Sequence, residues 1–364
     1  MSIKHLEEYR DPEISRSIID NINKISQKKI RLMEVCGTHT MSIFKSGIRT
    51  VLPETISLLS GPGCPVCVTA QHEIDAFIAL SRTDDVIITT FGDLMKVPGT
   101  TSSLQGERAN GHDIRIVYST FDAFDIAKKN PGKKIVFLGV GFETTAPAIA
   151  ASILSVEEMK IKNFFVFSAH KLVPPALLAL MESSNVKIDG FILPGHVSVI
   201  IGTKAYLPLF KKYHIPSVVA GFEPSDILQA IYILVKQIET ESPRLDNAYK
   251  RAVTFDGNKK AKQIMQDVFE VVDANWRGIG SIPKSGLKIR KEFEVYNAEN
   301  VFEIETIDSI DPKGCDCGDI LRGLKIPPEC RLYRKTCTPM NPIGPCMVSN
   351  EGTCAAYYRY HSIE

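Results

Sequence analysis

Between Ile30 and Ala220 short apolar runs alternate with amphipathic stretches, and that alternation limits the fold more than any other feature of the chain. The runs are Ile30–Val35, Ile56–Ser60, Val86–Phe91, Ile114–Tyr118, Lys134–Val140, Phe164–Ser168, Gly190–Leu193 and Ser217–Ala220. Most are rich in Val, Ile and Phe with little polar interruption, as suits strands buried on both faces of a parallel sheet. Stretches between them, such as Ala70–Arg82, Thr144–Ser155 and Pro174–Ser183, read as helices. The expected class is therefore α/β, built from βαβ units with helices on both sheet faces.

Polar motifs follow the runs at Cys36, Gly61, Phe91, Gly141, Ser168, Pro194 and Gly221. Their spacing of about 25–30 residues is close to one βα repeat and suggests two related halves. The Lys129-Asn130-Pro131-Gly132-Lys133 stretch is the expected boundary between them. This gives one α/β domain over 30–130, a second over 131–240, and a third part made of 1–29 and 241–364. In that third part Leu245–Ala252 and Lys259–Val272 read as helices, and Trp276 to Pro283 as a Gly/Pro-rich bend.

A chain of 364 residues that is 44% hydrophobic can bury more than one core. With 43 basic and 42 acidic side chains, its charge balance gives no reason to expect a nucleic-acid partner. Met1 to Asp20 has no apolar segment of the secretory kind, and runs such as Ile135–Val140 are too short to span a bilayer. A cytoplasmic protein with no membrane partner is expected.

Of the nine cysteines, six lie between Cys315 and Cys354. In a reducing compartment such clustering points to metal or redox chemistry rather than structural disulfides. The first motif, Cys36-Gly37-Thr38-His39-Thr40, follows a strand. In a parallel sheet that places Cys36 in the ligand crevice, at a helix N-terminus that favours the thiolate. The competing reading is an inert buried cysteine beside a capping threonine. The second, Gly61-Pro62-Gly63-Cys64-Pro65-Val66-Cys67, offers a Cys-x-x-Cys pair that can form a disulfide or bind a soft metal. Cys36 and His39 could complete a zinc site with it.

The third motif, Gly141-Phe142-Glu143-Thr144-Thr145-Ala146-Pro147, places a carboxylate and two hydroxyls at a strand-to-helix turn, where an ordinary helix cap is the alternative. No dinucleotide fingerprint or phosphate loop is present in the sequence. The fourth, Pro194-Gly195-His196-Val197-Ser198, is joined by Ser168-Ala169-His170-Lys171 and by Asp93. His170 and His196 are candidate proton donors or ligands, with structural histidines the alternative. What favours function is that all these motifs fall at strand ends, where two half-domains could face each other.

The tail runs Cys315-x-Cys317, then C-x12-C-x6-C-x8-C-x7-C to Cys354, with Pro327, Pro328, Pro339, Pro342 and Pro345 interspersed. Four thiolates suit a [4Fe-4S] cluster, favoured here, or an all-cysteine zinc site. The expected ligands are Cys317, Cys330, Cys337 and Cys354, with Cys315 and Cys346 able to replace any of them. The two cysteines left over would make a redox-active dithiol beside the cluster.

Together with Trp276-Arg277-Gly278, Ser285-Gly286-Leu287 and the ending Cys346-Met347-Val348-Ser349 to Tyr358, these motifs resemble the HypD family of [NiFe] hydrogenase maturation (formation) proteins. The resemblance runs from about Ile30 to the C-terminus. It implies two Rossmann-like α/β domains plus a C-terminal iron–sulfur domain. The [4Fe-4S] cluster would sit in surroundings similar to those of ferredoxin:thioredoxin reductase. It also implies a stable complex with the small chaperone HypC, on which a transient iron acquires two cyanides and one carbon monoxide. Cyanide would come from HypE, made there with HypF, and the hydrogenase large subunit would be reached indirectly. Carried over, Cys36 would bind the iron, and Cys64 and Cys67 would be the inner thiol pair. Glu143, Thr144, His170 and His196 would line the cleft. Such a protein is an assembly scaffold with redox activity rather than a turnover enzyme. The alternative is a cluster-dependent thiol–disulfide reductase.

Overall fold

The computed structural model describes residues 11–305 and 307–361. Residues 1–10, part of the N-terminal stretch grouped above with the tail, lie outside the described residues. Each of the eight apolar runs contains a strand: β1 Ile30–Glu34, β2 Ile56–Ser60, β3 Val86–Thr90, β4 Ile114–Ile116, β5 Lys134–Gly139, β6 Phe164–Ser168, β7 Gly190–Pro194 and β8 Ser217–Ala220. Three more follow: β9 Leu245–Asn247, β10 Phe269–Trp276 and β11 Gly280–Ile289. The strands form a five-stranded sheet in the order β2-β1-β7-β8-β9 and a four-stranded sheet in the order β4-β3-β5-β6. All pairings in both are parallel. The architecture is α/β with two Rossmann-like domains.

The domain boundaries differ from the expected ones. The chain lays down β1 and β2, crosses to build all of β3–β6, and returns to add β7–β9 beside β1. The second domain is thus inserted into the first. The Asn130-Pro131-Gly132 stretch does not separate domains. It ends the helix Thr120–Lys129 and feeds β5, which pairs with β3 in the same sheet. Hydrophobic periodicity reveals that strands exist but not which strands pair, so a polar turn inside one sheet looked like a linker.

Alternate residues of each strand serve different cores, as the two-residue period of a strand requires. In β5, Ile135 and Phe137 face the helices Thr120–Lys129 and Ala146–Glu158. Val136 and Leu138 face the other way, into a core shared with Met33, Leu59, Phe191 and Val219 of the first sheet. Ile30 and Leu32 close a third core under the helices Pro12–Ile25 and Pro224–Glu239. The first of these helices starts at Asp11, whose side chain accepts the Glu13 N–H at 2.8 Å.

Leu245–Ala252 is not a helix. Leu245–Asn247 forms β9 on the sheet edge, and the Asn247 side chain then accepts the Tyr249 N–H, turning the chain. The helix expected over Lys259–Val272 stops at Val268, where Phe269 begins β10. β10 and β11 make an antiparallel hairpin, with Trp276-Arg277-Gly278 at its turn. Trp276 is buried, donates from Nε1 to Ser285 Oγ at 2.9 Å, and stacks on Phe142. Gly278 at the same turn packs against Gly318, so the hairpin joins the second sheet to the Cys-rich tail. That tail holds only short helical turns, among them Cys317–Leu321 and Pro345–Val348, before the helix Thr353–Tyr360. No helix among the described residues is long and apolar enough to cross a membrane.

Candidate functional site

Between the carboxyl ends of the strands of the two sheets lies a cleft of about 410 Å³. Cys36, Thr38, Thr144, His196 and Glu351 line its wall. Cys36 caps the helix Gly37–Lys45, as expected from its place after β1. Its thiol is nonetheless pushed up to about 12, because burial outweighs the donation from the Thr38 and His39 amides and Glu351 adds repulsion. The helix end is present, but desolvation wins, and the thiol needs a cation nearby to ionise.

The Gly-Pro-Gly-Cys loop packs directly against Cys36. Gly37 donates to the Gly63 carbonyl at 3.0 Å, and a Cβ on Gly63 would stand 2.2 Å from the Cys36 nitrogen. Only glycine fits there. Cys64 and Cys67 are joined in a disulfide under this loop and are buried, while Gly63 and Pro65 face the cleft.

Behind Cys36, the buried Glu34 accepts from the Cys36 amide at 3.3 Å and from Thr40 Oγ1 at 2.5 Å. Burial raises its carboxyl to about 7. Neither Glu34 nor Glu351 is among the cleft residues expected from the sequence, although Glu351 belongs to the tail motif. Glu351 reaches the cleft from the tail, accepting from Thr38 Oγ1 at 2.6 Å. The signal for Glu34 was a carboxylate at the end of an otherwise apolar run, where it has to be buried.

The expected cleft residues divide. Thr144 and His196 line the cleft with Cys36. His39 lies behind it, fully buried, with Nε2 2.9 Å from the Gly221 carbonyl and its ring stacked on Phe222, which also stacks on His196. Burial lowers its pKa to about 4. Glu143 turns inward and accepts the Val173 N–H at 3.0 Å; burial raises it to about 7. His170 is a correction: it lines a separate hollow beside the β10–β11 hairpin, with Ser168 Oγ 3.0 Å from Nδ1. Burial and the neighbouring Lys171 ammonium hold it down near 3. Asp93 meets the tail, accepting from Ser349 Oγ.

A mononuclear zinc site from Cys36, His39, Cys64 and Cys67 is not assembled. His39 is committed to Gly221 and the two loop cysteines to each other. Among the described residues no three His, Cys, Asp or Glu side chains meet at a single-ion site.

All six tail cysteines surround one apolar hollow. Cys317 is bonded to Cys346, which corrects its expected place among the four ligands. The free thiols among the six are Cys315, Cys330, Cys337 and Cys354. Burial lifts Cys315 to about 11 and holds Cys354 well above the ordinary thiol range, and the sulfurs of Cys330 and Cys337 repel both. Four crowded thiols that repel one another on ionising fit a cationic cluster core that takes one thiolate per iron. Gly344 leaves room for this, since a Cβ there would lie 2.6 Å from Cys315 Sγ.

The two cysteine regions adjoin. The turn Pro65–Val68, ending the Cys64–Cys67 loop, packs on the turn Pro345–Val348, which carries Cys346. Cys64, Cys67, Cys317, Cys346 and three of the free thiols belong to one continuous buried cluster.

The family model for HypD, described as the hydrogenase formation hypA family, matches residues 13–361. This chain belongs to the HypD family. A putative hydrogenase expression/formation protein of Methanocaldococcus jannaschii is 46% identical over 97% of this chain and 99% of its own. The hydrogenase maturation factor HypD of Cupriavidus necator is 42% identical over 98% and 97%. HypD of Escherichia coli is 40% identical over 100% and 99%. Of the HypD motifs, Cys36, Gly63, Thr144 and His196 thus line the cleft and the tail cysteines the hollow, while Gly286 and Leu287 line the separate hollow with His170.

Proposed function

We propose that this protein acts in hydrogenase maturation, as its relatives' names say of them, and that it does so as a redox-active assembly scaffold. In a complex with a HypC-type chaperone, Cys36 would hold the substrate iron while two cyanides and one carbon monoxide are attached. HypE, with HypF, would supply the cyanide, and the hydrogenase large subunit would receive the finished unit indirectly.

The observation that carries the proposal is the order of the thiols. Cys36 stands at the cleft, Cys64–Cys67 under its floor, Cys317–Cys346 beyond, and four free thiols around the far hollow. Cys315, Cys330, Cys337 and Cys354 would hold a [4Fe-4S] cluster, which when bound supplies single electrons. The chain's own residues set the rest. Thr144 and His196 would offer a hydroxyl and an imidazole stacked on Phe222 to iron-bound anions, and His39 fixes the Phe222 ring beneath His196. The apolar remainder of the cleft strengthens each such contact by excluding water. The paired cysteines equally favour a thiol–disulfide reductase as a second reading, in which Cys36 has no part.

Anaerobic purification with and without the chaperone, followed by infrared spectra in the window of metal-bound carbon monoxide and cyanide, separates the two. Bands that vanish in Cys36→Ala support the scaffold. A Cys36→Ala protein with unchanged bands overturns it, and a protein with iron and sulfide but no bands brings the reductase forward.

A further inference from the structure

A second opening reaches the cysteines from the side of the Trp276-Arg277-Gly278 turn. It is a hollow of about 230 Å³ whose walls include Arg277, Asp311, Cys315, Cys317, Asp319 and Arg322. At its crossing point the two backbones touch: a Cβ on Gly278 would fall 2.2 Å from the Gly318 Cα, next to Cys317.

Arg277 is 4% exposed. Its Nε donates to the Thr69 carbonyl at 2.8 Å and its Nη1 to Gln71 Oε1 at 2.6 Å. Asp311, which is exposed, stands 3.5 Å from Nη1. Nη2 is buried and has no hydrogen-bond partner. A buried guanidinium N–H left unmade is unfavourable, and a carboxylate is its strongest complement. Of the acids at the rim, Asp311 approaches Nη1 and leaves Nη2 unpaired, and the others are engaged elsewhere. Asp319 is held by Arg322 at 2.6 Å and by Lys325 at 3.2 Å, and Asp316 by Lys325 at 2.9 Å.

We infer that this hollow is the port for a dithiol reductant bearing a carboxylate, which Arg277 seats against Cys317. The inference rests on the redox role proposed above. In the step, one reductant thiolate attacks Cys317 Sγ, the Cys317–Cys346 bond breaks, and Cys346 leaves as a thiolate. The second reductant thiol then attacks the mixed disulfide and releases Cys317. The reductant loses two electrons and closes to a disulfide; the cysteine pair gains both electrons and, on protonation, two protons. Cys317 faces the hollow and Cys346 does not, which fixes the direction of attack. Cys346 lies on the turn that packs against the Cys64–Cys67 loop, so reducing equivalents delivered here enter on the side of the pair away from the cleft.

The test compares dihydrolipoate with dihydrolipoamide, which carry the same dithiol and differ in one carboxylate. The full-length protein, purified anaerobically, is exposed to each, and the thiols formed are trapped by alkylation and assigned by mass spectrometry. Reduction of Cys317–Cys346 should be about tenfold faster with dihydrolipoate, the value of one charge-assisted hydrogen bond. Cys64–Cys67, beside a cleft whose wall carries Glu351, should show no such preference. Arg277→Gln should bring the ratio at Cys317–Cys346 close to one. Because Arg277 also braces Thr69 and Gln71, the exposed Asp311→Asn gives an independent check: removing this competitor should raise the ratio. Equal rates for the two dithiols, or a ratio unmoved in both variants, overturns the port. If neither dithiol reduces the pair, the redox role itself fails.

Discussion

The cleft at Cys36 and the hollow of the tail cysteines are both lined by thiols, yet they are built in opposite ways. The cleft is made by regular structure: strand ends, helix starts and one glycine loop, with Glu34, His39 and Glu143 buried and hydrogen-bonded behind it. The hollow is made by short turns whose buried side chains include the cysteines themselves. A site of the first kind keeps its shape without its ligand. One of the second kind takes its shape from what its thiols bind, because the turns alone bury too little.

The largest expected effect breaks this contrast at the tail. Removing iron with a chelator, or replacing Cys330 and Cys354 together by serine, should open the segment after Asp308 to limited proteolysis while the two sheets stay protected. Equal protection with and without iron would put the two regions on the same footing. On the cleft side, Gly63→Ala forces a methyl into the Cys36 backbone and should destabilise the protein by roughly 3 kcal/mol in denaturant unfolding. A loss under about 0.5 kcal/mol would show that the loop yields and the cleft is not preformed.

A third effect is pH-dependent. Glu143 titrates near 7 when folded against 4.5 for the free side chain. Between those values the folded state holds the extra proton, so stability is full below about 4.5 and falls as pH rises through 7. Glu143→Gln keeps an acceptor for the Val173 amide and has nothing to ionise. It should be more stable than the parent by roughly 2 kcal/mol at pH 8, with the difference closing near pH 4. A difference independent of pH would remove burial as its cause. The smallest effect probes the seam between the regions. Thr38→Ala deletes the hydrogen bond to Glu351 and should cost about 1 kcal/mol, with weaker protection of the helix Thr353–Tyr360 in hydrogen exchange.

The same contrast explains what the sequence revealed. Strands and their polar sequels were legible, because burial on both faces writes continuous apolar runs, and Cys36, Thr144 and His196 share a cleft for that reason. The insertion of one domain into the other was not, since β1 pairs with both β2 and β7 and no local pattern encodes a partner so far away. His170 was misplaced for a related reason: a residue at the end of β6 follows its own sheet edge, and the hairpin that walls it off comes from residues 269–289. Glu143 sits in a motif of the cleft but its side chain turns to the Val173 amide, a choice made by an unpaired donor that sequence does not display. In the tail, spacing identified six cysteines without dividing them, because the pairing of Cys317 with Cys346 depends on how turns of no regular period fold back.

The interrupted order of the first sheet also sets a schedule on the ribosome. β1 is an interior strand, and its second neighbour, β7, is synthesised only after all of β3–β6. The inserted domain has every strand it needs once β6 has emerged and can fold as a unit. The domain that begins first must wait with β1 half paired until β7 arrives, and the cleft at Cys36 is completed only when Glu351 of the tail has been made.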